Sequence, residues 1–192
     1  MKRQRTREAI SSAAITLFLE RGFAAVSVAD VAAAAQVSKP TLFKYFPTKQ
    51  DLALDRIADH EREAARVVRE RESGEDPIQA LRRHFLANLE SRDPVTGLND
   101  HPVVLAYHRL VFTTPELASR VLDLVVQDEE ALAESLIETY GELAANVRAA
   151  QVVATQRVLA RRNWQALADG STAAERYPVA VTEASEGFDL LG

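Results

Sequence analysis

Apolar positions recur every three or four residues along nearly the whole chain, the period of an amphipathic helix. Ile10, Ala13, Ala14, Leu17 and Phe18 share one face of a first helix, which Gly22 is placed to stop. Val28, Val31, Ala32 and Ala35 form the stripe of a second, opened by Ser27 with Asp30 at capping-box spacing. Ser38 is set to cap a third, with Pro40 in the first turn and Pro47 ending it near Phe46. Thr48 and Asp51 repeat the capping spacing and begin a fourth helix, expected to run unbroken to about Glu72. Ser73-Gly74 then breaks the chain. Asp76-Pro77 opens a helix striped by Ile78, Leu81, Phe85 and Leu89. Residues 93–102, rich in Pro, Gly, Asn and Asp, read as a loop. Residues 103–112 are apolar almost all round, the signature of a buried central helix. Thr114-Pro115 starts a helix that reaches Tyr140 and stops at Gly141, and another runs from about residue 144 to Ala168. Thr172 and Glu175 open a last helix ending near Leu191, with Pro178 either kinking it or marking its start. No stretch alternates as a strand does. The expected fold is all-α, with about nine helices.

Composition narrows the class. The 192 residues are 47% apolar and 27% charged, an ordinary globular balance. No apolar run approaches the roughly 18 residues needed to cross a bilayer. The basic start MKRQRTREAI imitates an export signal, but the apolar segment 13–19 is too short and lies inside the amphipathic pattern. A cytoplasmic protein is expected. With no cysteine, disulfides, thiolate catalysis and cysteine-based zinc sites are excluded. His101 and His108 are seven apart but lack further ligands at matching spacing. His60-Glu61 begins like the zinc-protease motif HExxH, which fails at Ala64. There is no Gly-rich phosphate loop and no nucleophile elbow. Neither an enzyme, a metal nor a cofactor is expected.

The net charge of −5 conceals a division. Residues 1–50 hold eight basic residues and three acids, a balance of +5, whereas residues 51–192 hold fifteen and twenty-five, a balance of −10. A basic head on an acidic body points to a polyanion as the head's partner. The stretch QVSKPTLFKYF, residues 36–46, sharpens this. Two short helices separated by Gln36-Val37-Ser38 make a helix-turn-helix, whose second helix enters the DNA major groove. Leu42 and Phe46 are four apart and face inward, toward Val31, Leu17 and Phe18. Lys39, Pro40, Thr41, Phe43, Lys44 and Tyr45 are left on or near the outside, without an acid among them. Such a surface suits phosphates and base edges.

The run FAAVSVADVAAAAQVSKPTLFKYFPTKQDL resembles the DNA-binding domain of the tetracycline-repressor (TetR) family of bacterial transcription regulators. Phe23, Ser27, Asp30-Val31-Ala32, Val37-Ser38, Thr41-Leu42-Phe43, Tyr45-Phe46 and Thr48-Lys49 carry the likeness, which covers residues 8–55 in detail. It implies a DNA-binding domain over residues 1–50 and a helical regulatory and dimerisation domain over 51–192. It implies base contacts from Lys39, Pro40, Phe43 and Lys44, and phosphate contacts from Ser27, Ser38, Thr41, Tyr45 and Lys49. The tail residues Lys2, Arg3, Arg5 and Arg7 would add backbone or minor-groove contacts as an untethered arm. Two positions depart from the family. Gln36 stands where glycine is usual, at a cost of about 1 kcal/mol if left-handed, and Phe43 replaces a common tyrosine.

A helix-turn-helix protein generally needs two half-sites, so a homodimer is expected. The seam of Tyr177, Val181, Ala184, Phe188 and Leu191, with the face Val147, Ala150, Ala154 and Val158 of the preceding helix, is the expected interface. The resemblance implies a four-helix bundle there. It also implies a small-molecule pocket in the body, for which Phe85, Leu89, Leu105, Tyr107, His108, Arg109, Phe112, Gln156 and Trp164 are candidates. The expected function is a homodimeric repressor of operator DNA, released when an effector shifts the long fourth helix. The alternative is a dimeric DNA-binding regulator without a ligand.

Overall fold

The structure, a computed structural model, describes residues 2–192, Lys2 by its backbone alone. The described residues form ten α-helices: α1 Lys2–Arg21, α2 Val28–Ala34, α3 Lys39–Phe43, α4 Lys49–Ala58, α5 Glu63–Glu70, α6 Pro77–Glu90, α7 Pro102–Thr113, α8 Pro115–Tyr140, α9 Glu142–Ala168 and α10 Ala173–Asp189. A 3-10 turn, Pro94–Thr96, lies in the expected loop, and the described residues contain no strand. The fold is the all-helical one that the periodicity predicts. None of these helices is long and apolar enough to cross a membrane.

Most helix boundaries follow from local hydrogen bonds. Ser27, Thr48 and Thr172 each build a complete capping box, with Asp30, Asp51 and Glu175. Ser38 and Asp76 cap α3 and α6, each followed by a proline in the first turn. Gly22 and Gly141, both at positive φ, stand directly after α1 and α8.

Three expectations are corrected. The expected long fourth helix is two helices. Its break carries no Gly or Pro: Arg62 takes φ 59° and its N–H donates to Asp128 Oδ1 at 2.8 Å, while His60 Nδ1 bonds Glu63 at 2.7 Å. One of these partners, Asp128, is 66 positions away, so the local pattern misses the kink. The basic N-terminal residues are not an untethered arm but the first turns of α1, built from good helix formers and an i,i+4 bond from Gln4 to Glu8 at 3.1 Å. Third, α7 is not buried all round. Tyr107 and Val111 are buried, but Val103 is 52% and Phe112 49% exposed. Pro178 lies inside α10 and does not start it.

The chain divides into two compact units, Met1–Asp59 with Ala106–Leu122, and His60–Leu105 with Asp123–Gly192. In the first, α1 packs on α2 and α4, and α2 packs on α3. Ile10, Ala14, Leu17, Phe18, Phe23, Val31, Leu42, Phe46 and Leu52 are its buried apolar residues. Tyr107 joins α7 to this unit, its hydroxyl donating to Ala53 O at 2.8 Å.

In the second unit α10 packs on α6 and α9 around Leu81, Phe85, Leu89, Val152, Leu159, Ala184 and Phe188. A polar network ties this core together. Asn163, buried, donates to Thr96 O at 3.0 Å and accepts from Arg176 Nε at 3.0 Å; Arg176 and Arg162 both bind Glu183. The 3-10 turn lies so close to α9 that a Cβ on Gly97 would sit 2.0 Å from Ala160 O. Only glycine fits there.

Candidate nucleic-acid interface

The candidate surface is built on α2 and α3. Ser27 Oγ accepts from Asp30 N at 3.2 Å, and Asp30 Oδ2 accepts from Ser27 N at 2.8 Å and Ser27 Oγ at 2.6 Å. These two hydrogen bonds, with the charges of Arg21 and Lys39, hold the Asp30 carboxyl below its usual range. The Ser27 proton therefore points at Asp30. The α2–α3 turn then reverses through Gln36, at φ 53°, with Gln36 N bonding Ala33 O at 3.1 Å and Val37 N bonding Ala32 O at 2.9 Å. These are the two bonds of a Schellman motif, closed here by glutamine where glycine is usual.

Ser38 Oγ accepts from Thr41 N at 3.2 Å and lies 2.8 Å from Thr41 Oγ1, so the two hydroxyls pair with one another. Leu42 and Phe46 are buried, which fixes the rotation of α3. The opposite side carries Lys39, Pro40, Phe43 and Lys44, all exposed, Phe43 by 47%. Thr41 and Tyr45 are half-buried flanks. An exposed phenyl ring on the same row as two lysines fits a groove holding methyl groups and acceptor-rich base edges.

Two cations expected to reach DNA are placed otherwise. Lys49 Nζ donates to Phe23 O at 2.5 Å and lies 4.3 Å from the centroid of the Phe23 ring. Arg7 pairs with Asp55 Oδ1 at 2.5 Å, with Asp55 buried, and its guanidinium lies 5.0 Å from the Phe46 centroid. Arg3 and Arg5 are exposed; the side chain of Lys2 lies outside the described residues. Nothing in the local sequence told anchored cations from free ones, because their partners are up to 48 residues away.

The expected pocket residues fall in both units. Phe85 and Leu89 belong to the second unit's core, where Leu105 packs against it and Gln156 and Trp164 are half-buried. In the first unit Tyr107 is buried, Arg109 and Phe112 are exposed, and His108 is half-buried. The Nδ1 of His108 is buried without a hydrogen-bond partner among the described residues, and burial lowers its pKa. Phe85 and Leu89 pack in the second unit's core. A surface cleft of about 460 Å³ lies between α6 and α10, lined by Gln79, Arg82, Leu86, Tyr177 and Val181 among others, and by none of the nine expected residues.

The expected interface divides likewise. On α9, Val147 and Val158 are 48% and 54% exposed, with Ala150 and Ala154 half-buried between them. Leu143, 80% exposed, extends this stripe by one turn. Tyr177 and Val181 of α10, and Leu191 just after it, are half-buried, but Ala184 and Phe188 are buried in the chain's own core, Phe188 with its ring centroid 5.9 Å from that of Phe85. Ala184 and Phe188 therefore have no surface to offer a partner. Val179 of α10 and Leu190 at its C-terminal cap are 46% and 87% exposed.

Residues 10–55 match the sequence profile described as bacterial regulatory proteins, tetR family. The HTH-type transcriptional regulator TcmR of Streptomyces glaucescens is 31% identical over 173 residues, 88% of this chain and 76% of that protein. The HTH-type transcriptional repressor LfrR of Mycolicibacterium smegmatis is 30% identical over 118 residues, 61% of this chain and 58% of its own. Among solved structures, NalD, the secondary repressor of the MexAB-OprM multidrug efflux pump in Pseudomonas aeruginosa, shares the fold with a TM-score of 0.62 at 18% identity, over 96% of this chain and 97% of that one.

Proposed function

The chain belongs to the tetR family of bacterial regulatory proteins, a family of helix-turn-helix transcriptional regulators, and from that premise we propose that it is a homodimeric repressor whose residues 1–50 read operator DNA and whose residues 51–192 dimerise and respond to a small molecule. The observation that carries the reading is the outward face of α3. Lys39, Pro40, Phe43 and Lys44 stand exposed on a helix whose other side, Leu42 and the following Phe46, is locked into the core. In a major groove the lysines donate to guanine O6 and N7, and the Phe43 ring meets a thymine methyl. Thr41 and Tyr45 flank this row, where hydroxyls meet phosphates.

Two heads on one twofold axis reach two half-sites, and the apolar stripe of exposed Leu143, Val147 and Val158 with half-buried Ala150 and Ala154 supports α9 as the dimer helix, with Val179 of α10 and Leu190 just after it alongside. Repression accords with the relative LfrR being a repressor. Release requires an effector that binds the DNA-competent and DNA-incompetent states with different affinity. Selection of bound duplexes from random sequence tests the core of this reading. An enriched site with twofold symmetry is the expected result, and a pool that stays random refutes it. Melting-shift screening of small molecules with and without the selected duplex tests the effector.

A further inference from the structure

The break between α4 and α5 is the chain's route from the first unit into the second: Asp59 belongs to the one and His60 begins the other. Two corners take left-handed backbone without glycine, Arg62 at φ 59° inside the break and Arg92 at φ 55° just before the 3-10 turn. Such corners are strained and persist only where their surroundings hold them. One side chain joins the two. His60 Nδ1 lies 2.7 Å from Glu63 Oε2, one residue past the first corner, and its Nε2 lies 3.6 Å from Asp93 Oδ1, one residue past the second. Asp93 is a fixed post, since its Oδ1 also accepts from Val95 N at 3.0 Å and Thr96 and Leu98 beyond it are buried. His60, Glu63 and Asp93 are all half-buried, where bulk salt screens charges less than at an open surface.

This arrangement distinguishes the two protonation states of His60. Glu63 also faces His84 Nε2 at 3.1 Å, and hydrogen bonds from His60 and His84 hold its carboxyl far below its usual range, so it is ionised and can only accept. A neutral imidazole has one N–H. His60 must give it to Glu63, which leaves a bare Nε2 lone pair beside the Asp93 carboxylate. The imidazolium carries a second N–H, and 3.6 Å, too long for a hydrogen bond, is within reach of an ion pair. Bridging therefore needs the proton, which histidine ordinarily gains or loses between pH 5 and 8. The other charged groups at the bridge are Arg66, 3.5 Å from Glu63, Arg62 beside Glu61, and Asp128 of α8, which accepts from Arg62 N and whose pKa burial raises. We propose that His60 is a proton-operated latch: protonated, it ties the α4–α5 break to the 3-10 turn and holds the break in the form that binds DNA, and neutral, it gives up Asp93 and frees the break. A break held beforehand leaves less to order on the duplex. The latch goes beyond the DNA-binding reading above; its effect on duplex binding rests on that reading.

The test compares the full-length protein with His60→Gln, whose amide can donate but never carries a charge, and Asp93→Asn, which keeps the oxygen that accepts from Val95 N. Hydrogen exchange at the amides of Arg62 and Glu63, corrected for intrinsic rates, reads the break in the free protein at pH 6 and pH 8. At pH 6 each variant should open the break about two- to fivefold more than wild type, and the double variant should go no further than His60→Gln. At pH 8 all should agree within about 1.5-fold. Both variants should bind the duplex recovered by selection about two- to fivefold more weakly than wild type at pH 6, and like wild type at pH 8. They change net charge in opposite directions, so a long-range charge effect would raise one affinity and lower the other. Opposite shifts would overturn the latch's part in DNA binding. Equal protection in wild type and both variants at pH 6 would overturn the latch itself. So would a pH dependence that survives in His60→Gln and vanishes in Asp128→Asn, since the sensor would then be that carboxyl. Failure of the DNA-binding reading shows separately, as a wild-type protein that enriches no sequence, and the exchange measurement still decides the latch.

Discussion

Replacing Phe188 with alanine separates the two places its apolar seam could face. The side chain is 1% exposed and packs against Phe85 at 5.9 Å between centroids, within the core that also holds Leu159, Ala180 and Ala184. Truncating a buried phenylalanine costs about 3–5 kcal/mol, of which the ring pair accounts for about 0.5–1.5 kcal/mol. For a chain of this size 1 kcal/mol moves Tm by roughly 2–4 °C, so Phe188→Ala should lower it by roughly 6–20 °C. Val158→Asp is the companion variant. Val158 is 54% exposed, so no cavity forms and the protomer's own packing changes little, but the α9 stripe gains a charge at its centre. Melting curves should be taken at several protein concentrations, because a dimer's Tm depends on concentration, with mass measured by light scattering in parallel. The expected outcome is a destabilised Phe188→Ala and a monomeric Val158→Asp. A Phe188→Ala protein that melts within about 2 °C of wild type but has half its mass would refute the assignment of Phe188 to the core. Unchanged mass in Val158→Asp would refute the outward face of α9 as the dimer surface.

Other variants address the head and the break after α4. Lys39→Ala or Lys44→Ala should weaken binding to the selected duplex by about 1–3 kcal/mol, with a smaller loss on random DNA; equal loss on both in filter-binding titrations would remove them as base readers. Gln36→Gly should raise stability by about 0.5–1 kcal/mol, because glycine adopts the observed φ of 53° without strain. A lower Tm for Gln36→Gly would contradict that account of the turn. Glu63 accepts hydrogen bonds from His60 and His84, which hold its carboxyl far below the ordinary 4.5. A depressed carboxyl contributes stability above its unfolded value and loses it as pH falls toward the folded one. The Tm advantage of wild type over Glu63→Gln should therefore be largest above about pH 4.5 and shrink by about pH 3. An advantage that stays constant over that range would show that the two imidazoles do not act through this carboxylate.

What could be read along the chain is what depends on neighbours in sequence. Caps at Ser27, Ser38, Thr48, Asp76 and Thr172 and the stop at Gly22 each rest on groups within five residues, so the residue types alone specify the short helices of the helix-turn-helix and the turn between them. Tertiary structure decided the rest. An apolar seam of period 3.5 looks the same whether it faces its own core, as Phe188 does, or stands open, as Val147 and Val158 do. The charge of Lys49 or Arg7 is visible in the sequence, but its destination is set by Phe23 and Asp55, brought close only when α1 packs on α4. The kink at Arg62 likewise waits on Asp128, 66 positions away. Short-range hydrogen bonding is a property of the sequence; burial and ion pairing are properties of the fold, because they depend on which distant segments exclude water from the same place.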